Sequence, residues 1–295
     1  MSAGTRNTRF GWVFAAPALL VIGIFFLLPI AAGLVLSLVN FDIYSIGDPS
    51  TIRFIGPRHY AALFRDPAFG QALRNTLLFV VVGLPLTLLP ALGAALLVNA
   101  RLTRFPSLFR TVFFAPVVTT LVAVAVVWRA LYHPRFGLIN HALAFVHLRS
   151  IDWLGDPRWA LPAIILLASW KNFGYDMVIL VAALKNMNPE VFEAARIDGA
   201  SSFRQFFHIT LPLLRPALLF VAFITAVGYF QLFAEPYVMT LGGPLNSTLS
   251  VALMMYREGF RWWNLGYAAA IAVVLFAIIL AVSLAGYALQ RRREL

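Results

Sequence analysis

The 295 residues are 61% hydrophobic and 12% charged, with a formal net charge of +11 and no cysteine. A soluble domain has about 25% charged residues, so this composition indicates an integral membrane protein. The absence of cysteine excludes disulfides, thiolate metal sites and a cysteine nucleophile. The cations are spread along a hydrophobic chain and do not cluster on a soluble face. We therefore attribute the positive charge to membrane topology and expect no nucleic-acid partner.

Six segments are long and apolar enough to cross a membrane. A transmembrane helix needs about 20 predominantly apolar residues, and the first candidate follows Arg6 and Arg9. Its uncharged run, 10–41, is longer than the roughly 7 to 15 apolar residues of a signal-peptide core, so we predict a retained span. The six predicted spans are 12–38, 72–98, 109–131, 160–184, 211–234 and 267–289.

These spans predict an all-α integral membrane protein with six transmembrane helices. An even number of spans places both termini on one side. Arginine and lysine are densest in the tails and short loops of that side, including Arg291, Arg292 and Arg293. The positive-inside rule then places both termini in the cytoplasm. The predicted organisation is a tail at 1–11, one transmembrane domain at 12–289 and a tail at 290–295.

A charged stretch, 188–210, lies between the apolar fourth and fifth spans, on the predicted cytoplasmic side. Asn188 is a good N-cap, Pro189 suits the first helical position, and Glu190 complements the positive end of the helix dipole. Gly199 can adopt the left-handed conformation that ends a helix. The pattern therefore predicts a short cytoplasmic helix that ends at Gly199.

A second helical turn follows directly. Ser202 and Gln205 are spaced as a capping box, and Phe203, Phe206 and Phe207 recur at helical spacing to form an apolar face. An amphipathic connector resting on lipid headgroups would show a similar pattern. The loop nevertheless mixes small residues, which let another backbone approach closely, with charges of both signs, whereas a headgroup binder is mainly basic. We therefore favour a protein partner, with Glu193, Ala194, Ala195, Arg196, Asp198, Gly199 and Ala200 as the contact residues.

Two regions of the chain carry a resemblance to a known family. Glu193-Ala194-Ala195, then Asp198-Gly199-Ala200, then Leu211-Pro212 and Pro216 resembles the EAA loop of bacterial binding-protein-dependent ABC importer permeases. The segment Gly242-Gly243-Pro244, with the polar residues after it, is similar to the carbohydrate-uptake branch of that family. This branch includes the F-type subunit of maltose permeases and the A-type subunit of glycerol-phosphate permeases.

The resemblance implies that the loop is a coupling helix, which seats in a groove of a cytoplasmic ATPase subunit and turns nucleotide-driven closure into movement of the spans. It also implies a multi-pass protein of the bacterial cytoplasmic membrane, surrounded by lipid. The implied partners are a dimer of ATPase subunits, a second homologous permease and an extracytoplasmic solute-binding protein. The expected activity is ATP-driven import of a sugar or oligosaccharide.

This chain has no nucleotide site of its own. A P-loop needs Gly-Lys-Ser/Thr, whereas Lys171 follows Trp170 and Lys185 follows Leu184. We therefore expect ATP and magnesium to bind to the partner ATPase. We expect this chain to have no cofactor, no metal and no catalytic residues.

Polar side chains inside the spans are candidates for the substrate pathway, because burying them in a membrane is costly. Sugars need aromatic rings for their C–H faces, with amides and hydroxyls that exchange hydrogen bonds. The resemblance places the cavity on the fourth and fifth spans, where we select Asn172, Tyr175, Tyr229 and Gln231. Interfacial anchoring is the alternative explanation for such tyrosines.

Three other functions remain as alternatives. An ion-coupled secondary transporter would show internal repeats and buried carboxylates, and Asp176 is the clear acid within a span. A glycerol-phosphate importer fits the same family as a sugar importer. A membrane-embedded enzyme would need a convergent catalytic set, which we do not find.

Overall fold

The structure is a computed structural model that describes residues 3–99 and 105–291. The described residues are predominantly helical, which confirms the predicted all-α class; the exception is one antiparallel pair of two-residue strands. Arg101, Arg104, Arg292 and Arg293, which contribute to the predicted orientation, lie outside the described residues. The cytoplasmic placement of the termini and the tails at 1–11 and 290–295 therefore stay predictions.

The chain divides into two compact units, of which the first comprises Met1–Pro67 and Met254–Ile278. Inside it, the Gly266 backbone N–H donates to the Phe41 carbonyl (2.8 Å), and the Tyr267 hydroxyl donates to Asp66 (3.2 Å). Its elements are α1 (Ala3–Ile22), a π-helical turn (Gly23–Leu27), α2 (Leu28–Leu36), β1 (Val39–Asn40), α3 (Tyr44–Gly47), a 3₁₀ turn (Pro49–Thr51), β2 (Arg53–Phe54), α4 (Arg58–Leu63), a second π turn (Arg257–Arg261) and the first part of α15 (Leu265–Arg291).

The second unit comprises Ala68–Leu253 and Ile279–Leu295. Its core is apolar side chains of three long helices, α5, α9 and α12, including Ala91, Met177 and Leu214, each 0% exposed. The elements are α5 (Pro67–Asn99), α6 (Pro106–Val118), α7 (Leu121–Leu131), α8 (Leu138–Phe145), α9 (Ala160–Lys185), α10 (Pro189–Ile197), α11 (Ser202–Gln205), a π turn (Phe206–Thr210), α12 (Leu211–Phe230), α13 (Ala234–Met239) and α14 (Val251–Tyr256), whose last residues belong to the first unit.

Five single helical segments are long and apolar enough to span a membrane, and one bent helix pair makes a sixth candidate. This count, taken over the described residues, agrees with the six predicted spans. The fifth begins earlier than predicted, because α11, the π turn and α12 form one run, Ser202–Phe230. The single segments are Phe14–Leu36, Pro67–Asn99, Ala160–Lys185, Ser202–Phe230 and Leu265–Gly286.

The third predicted span, 109–131, is not one straight helix. It consists of α6 and α7, which meet at an angle of 97°. Thr119 and Thr120 are extended, with ψ of 145° and 139°, and the Thr119 hydroxyl turns back to the Pro116 carbonyl (2.7 Å). Pro116 has no N–H to donate to the preceding turn, so the helix is already weakened where it ends. Hydropathy shows only that the segment is apolar, so it does not reveal this break in the helix.

Helices α6 and α9 pack closely because Gly174 has no side chain. A Cβ atom at Gly174 would collide with the backbone carbonyl of Phe113, which belongs to the facing helix and cannot move like a flexible side chain.

We predict that Gly174→Ala separates α6 from α9 and lowers the thermal unfolding midpoint of the purified protein. The matched control is Gly93→Ala in α5, where a Cβ meets nothing within 4 Å. Since alanine favours helix over glycine by about 1 kcal/mol, the control is expected to be neutral or stabilising. Equal midpoints for the two variants would contradict the close approach of the helices.

Candidate functional site

The charged loop forms the helix that its sequence predicts. Asn188 caps α10 by accepting a hydrogen bond from the Glu190 backbone N–H (3.0 Å), and Pro189 takes the first helical position. A side-chain oxygen here satisfies one of the backbone donors that a helix start leaves unpaired. The predicted start of the helix is confirmed.

The end of α10 is also as predicted. Gly199 has φ of +76°, in the left-handed region that favours glycine. The Ala200 N–H donates to the Ala195 carbonyl (2.9 Å), and the Gly199 N–H donates to the Arg196 carbonyl (3.1 Å). These two bonds make a Schellman motif. A Cβ at Gly199 would meet nothing within 4 Å, so the backbone conformation, and not lack of space, is what requires glycine.

The start of the second turn differs from the prediction. Ser201, and not Ser202, is the N-cap, and its hydroxyl accepts from the Arg204 N–H (3.4 Å). Ser201 is extended, with ψ of 158°, as an N-cap must be, whereas Ser202 is already helical. The Gln205 amide donates to the Ala200 carbonyl (2.8 Å) instead of closing a capping box. The two adjacent serines made a register error of one residue possible.

The predicted aromatic face of this turn is present. The rings of Phe203 and Phe207 lie 4.7 Å apart, and those of Phe206 and Phe207 lie 4.8 Å apart. Phe203 is 74% exposed, so this face has room to contact lipid or another chain.

The tip of the loop is open. Glu193, Ala194, Arg196, Asp198 and Gly199 are exposed, while the remaining predicted contact residues, Ala195 and Ala200, are half-buried. Ile197 is 87% exposed. Within the described residues the charges of Glu193, Arg196 and Asp198 form no ion pair. The outer surface of α10 therefore presents one apolar side chain and three charges that no described residue covers.

A separate cavity of about 460 Å³ lies between α9 and α12. It brings together all four residues selected for the substrate pathway. The lining also contains two carboxyl groups, those of Asp176 and Glu235, which the sequence analysis did not assign to the pathway. The remaining lining residues are Phe79 from α5 and Ile224, Thr225, Gly228, Leu232, Phe233 and Ala234; the four selected residues are Asn172, Tyr175, Tyr229 and Gln231.

The four selected side chains differ in their exposure and in the contacts they make within the chain. Tyr229 is 5% exposed, its hydroxyl is hydrogen-bonded to that of Thr87 (2.5 Å), and its ring packs edge-on against Phe79 (4.9 Å between centroids). Tyr175 is 45% exposed, and Asn172 is half-buried. Gln231 is exposed, and its amide donates to the Val227 carbonyl (3.3 Å). Tyr229 thus has a packing role, and Tyr175 is the more accessible aromatic ring.

Asp176 is 2% exposed, and both of its carboxylate oxygens accept from the Thr225 hydroxyl (3.1 and 3.0 Å). A buried carboxyl group is costly unless it is hydrogen-bonded, and this contact joins α9 to α12 beside the cavity. The helical spacing of Asn172 and Asp176, four residues apart on one face, was the sequence signal for their shared position.

Lys171, on α9, contacts the end of α6. Its Nζ donates to the Pro116 carbonyl (3.2 Å) and to the Val117 carbonyl (3.3 Å), at the C-terminal end of α6. These carbonyls lose their helical partners where the chain breaks, and a cation is favourable at the negative end of a helix dipole. The side chain therefore stabilises the bend in the third span.

We predict that Lys171→Met lowers the unfolding free energy of the purified protein by about 1.5 to 3 kcal/mol, the usual contribution of hydrogen bonds to a charged group. The change leaves the Val117 carbonyl unpaired and the Pro116 carbonyl with the Thr119 hydroxyl alone, while keeping the apolar stem. Lys185→Met, at an exposed position in the last turn of the same helix, is the control in the same denaturation experiment. An equal effect of both substitutions would show that the cap does not stabilise the bend.

Comparison with known proteins gives a consistent result. Residues 97–295 match the model of the family described as "Binding-protein-dependent transport system inner membrane component". The lactose transport system permease protein LacF of Rhizobium radiobacter is 37% identical over 289 residues, covering 96% of this chain and 95% of the relative. The arabinooligosaccharides transport system permease protein AraP of Bacillus subtilis is 32% identical over 281 residues, covering 92% of this chain and 86% of the relative.

Solved structures agree on the fold. A chain of a bacterial ABC transporter involved in the import of the acidic polysaccharide alginate superposes with a TM-score of 0.78 at 22% identity, with 99% of both chains covered. Among the described residues, no group of three or more histidine or acidic side chains is placed to hold a metal ion. The chain belongs to the family of binding-protein-dependent transport system inner membrane components, as a multi-pass permease subunit of an ABC importer whose ATPase is a separate chain.

Proposed function

We propose that this permease subunit carries a neutral sugar or oligosaccharide across the cytoplasmic membrane. The observation that supports this most directly is the cavity between α9 and α12, in which Tyr175, Asn172 and Gln231 offer a ring and amides to one small volume. Such a combination suits a sugar ring with its hydroxyl groups. Relatives named for lactose and for arabinooligosaccharides transport support the same substrate class.

The charges around the cavity favour a neutral substrate over an acidic one. Its charged lining groups are the carboxyls of Asp176 and Glu235, and no arginine, lysine or histidine lines it within the described residues. Lys171 directs its Nζ to backbone carbonyls of α6. A phosphate or uronate would therefore meet no cation in the described lining of this cavity, and the nearby charge of Lys171 already acts on Glu235. This argues against the glycerol-phosphate alternative.

The proposed energy source is a partner ATPase that contacts α10. The exposed Ile197, the small side chains and the unpaired charges of the loop make a surface that a protein groove can enclose. In this proposal the partner ATPases form a dimer that binds ATP and magnesium. A second permease subunit completes the pathway, and an extracytoplasmic binding protein delivers the sugar. The ion-coupled alternative has no support in the family to which the chain belongs.

We predict that Gly199→Asp abolishes transport while the protein still inserts in the membrane. The substitution strains a residue with φ of +76° and adds a negative charge at the docking tip. Gly199→Asn is the matched control, because asparagine is isosteric with aspartate and also adopts the left-handed conformation, so the two variants differ only in the negative charge. Uptake by cells that express the whole transporter, normalised to membrane content, measures both. Normal uptake by Gly199→Asp would contradict docking at this tip.

Substrate contacts are tested by uptake of labelled sugars. We predict that cells with the whole transporter take up a neutral disaccharide or oligosaccharide and not a matched uronate or phosphate ester. Asn172→Ala and Tyr175→Ala are each expected to reduce kcat/KM about tenfold, the effect of losing about 1.4 kcal/mol of binding. Tyr229→Phe should mainly lower stability, because its hydroxyl is engaged by Thr87. Uptake of an anionic sugar alone would overturn the proposed substrate class.

A further inference from the structure

One groove of the second unit contributes no residue to the proposed pathway. It has a volume of about 920 Å³ and runs between α5 and α9, and it shares no lining residue with the sugar cavity. Its charged side chains, Arg74 and Arg158, lie at one end, and its length is lined by apolar residues. The apolar lining consists of Leu78, Val82, Leu86, Leu161, Pro162 and Ile165.

The charged end is built around two arginines. Arg74 is exposed and makes no hydrogen bond or ion pair with the described residues. Arg158 donates from Nε and Nη2 to Asp156 (3.3 and 3.0 Å), and these hydrogen bonds hold the pKa of the Asp156 carboxyl below its usual value. Asp156 therefore remains ionised and offsets one of the two positive charges. The net charge of the mouth is then +1, which matches the single negative charge of a phosphodiester.

An unpaired hydroxyl lies at the same mouth. The Oγ atom of Ser247 is buried and finds no hydrogen-bond partner in the described part of the chain. Its segment is held over α5 by Gln71, which donates to the Leu245 carbonyl (3.0 Å), and by Asn75, which donates to the Asn246 carbonyl (2.8 Å). Buried polar groups almost always have partners, so this hydroxyl is available to a ligand's oxygen atoms.

The length of the groove corresponds to one lipid leaflet. From Arg74 to Leu86 along α5 the helix rises about 18 Å, and half of a bilayer's hydrocarbon core is about 15 Å. Helix α5 has 33 residues, more than the roughly 20 needed to cross the core, so its first turns reach the headgroup region. Arg74 then lies at headgroup level, and Leu78, Val82 and Leu86, which are 40%, 46% and 39% exposed, lie along the acyl chains.

We propose that this groove binds an anionic phospholipid, with the phosphate between Arg74 and Arg158 and an acyl chain along Val82 and Ile165. A soluble binding protein can reach the mouth but not the apolar part of the groove within the membrane. A helix of a second permease would bring apolar side chains to the arginines at headgroup level, whereas a lipid brings a phosphate there. The shape and the charge together favour the lipid.

The test is lipid retention by the purified whole transporter, measured by native mass spectrometry after delipidation and titration with phosphatidylglycerol or phosphatidylcholine. We expect preferential binding of phosphatidylglycerol. Arg74→Gln with Arg158→Gln should weaken it at least tenfold, the factor that about 1.4 kcal/mol gives. Arg149→Gln, an exposed arginine outside the groove, should bind as the unmodified transporter does. Because the two groove arginines are surface side chains, an unchanged unfolding midpoint verifies that the double variant is folded.

Two results would overturn the proposal. One is equal phosphatidylglycerol affinity in the double variant and the Arg149→Gln control. The other concerns the apolar part of the groove: because the chain has no cysteine, Val82→Cys provides a single thiol there. Cross-linking of this thiol to another protein subunit in native membranes would show that a protein fills the groove. Labelling by a membrane-soluble maleimide, with competition by added phosphatidylglycerol, is the expected result.

Discussion

In the hydrocarbon core of a membrane, a backbone carbonyl that loses its helical partner has no water to take its place. The bend between α6 and α7 meets this constraint with side chains. The Thr119 hydroxyl and the Lys171 ammonium group donate to the carbonyls that the break releases. The absence of a side chain at Gly174 lets α9 approach closely enough for Lys171 to reach them. Two residues of the fourth span, Lys171 and Gly174, therefore help to stabilise the bend of the third.

The same requirement shapes the cavity between α9 and α12. Two buried polar groups of the cavity lining have specific partners: Asp176 has Thr225, and Tyr229 has Thr87. These contacts join α5, α9 and α12 around the cavity and leave the exposed ring of Tyr175 for a substrate, with Asn172 beside the Tyr229 hydroxyl. A permease must offer polar groups to its substrate, and these groups still need hydrogen-bond partners when no substrate is bound. In an open, partly exposed cavity, water can hydrogen-bond to them between transport cycles.

The coupling loop obeys local rules, in contrast to the spans. Its start depends on one asparagine, its end on one glycine in a left-handed conformation, and neither needs contacts from distant parts of the chain. A short helix with such caps keeps its shape while its outer surface remains free. That independence suits an element whose apolar tip, Ile197, has to fit a second protein while the helices beyond it move.

The sequence by itself determined the membrane class, the approximate spans and both ends of α10, because hydropathy and capping are local properties. The four residues of one cavity were selected from polar residues in the spans together with the family resemblance. Only the tertiary structure decided that the third span bends by 97°, that Lys171 caps α6, and that Ser201 rather than Ser202 begins the second turn. It also decided which cavity groups are free and showed a groove between α5 and α9. These features depend on contacts between residues far apart in the chain, or on which of two adjacent residues caps a helix. Patterns along the sequence do not reveal either of these.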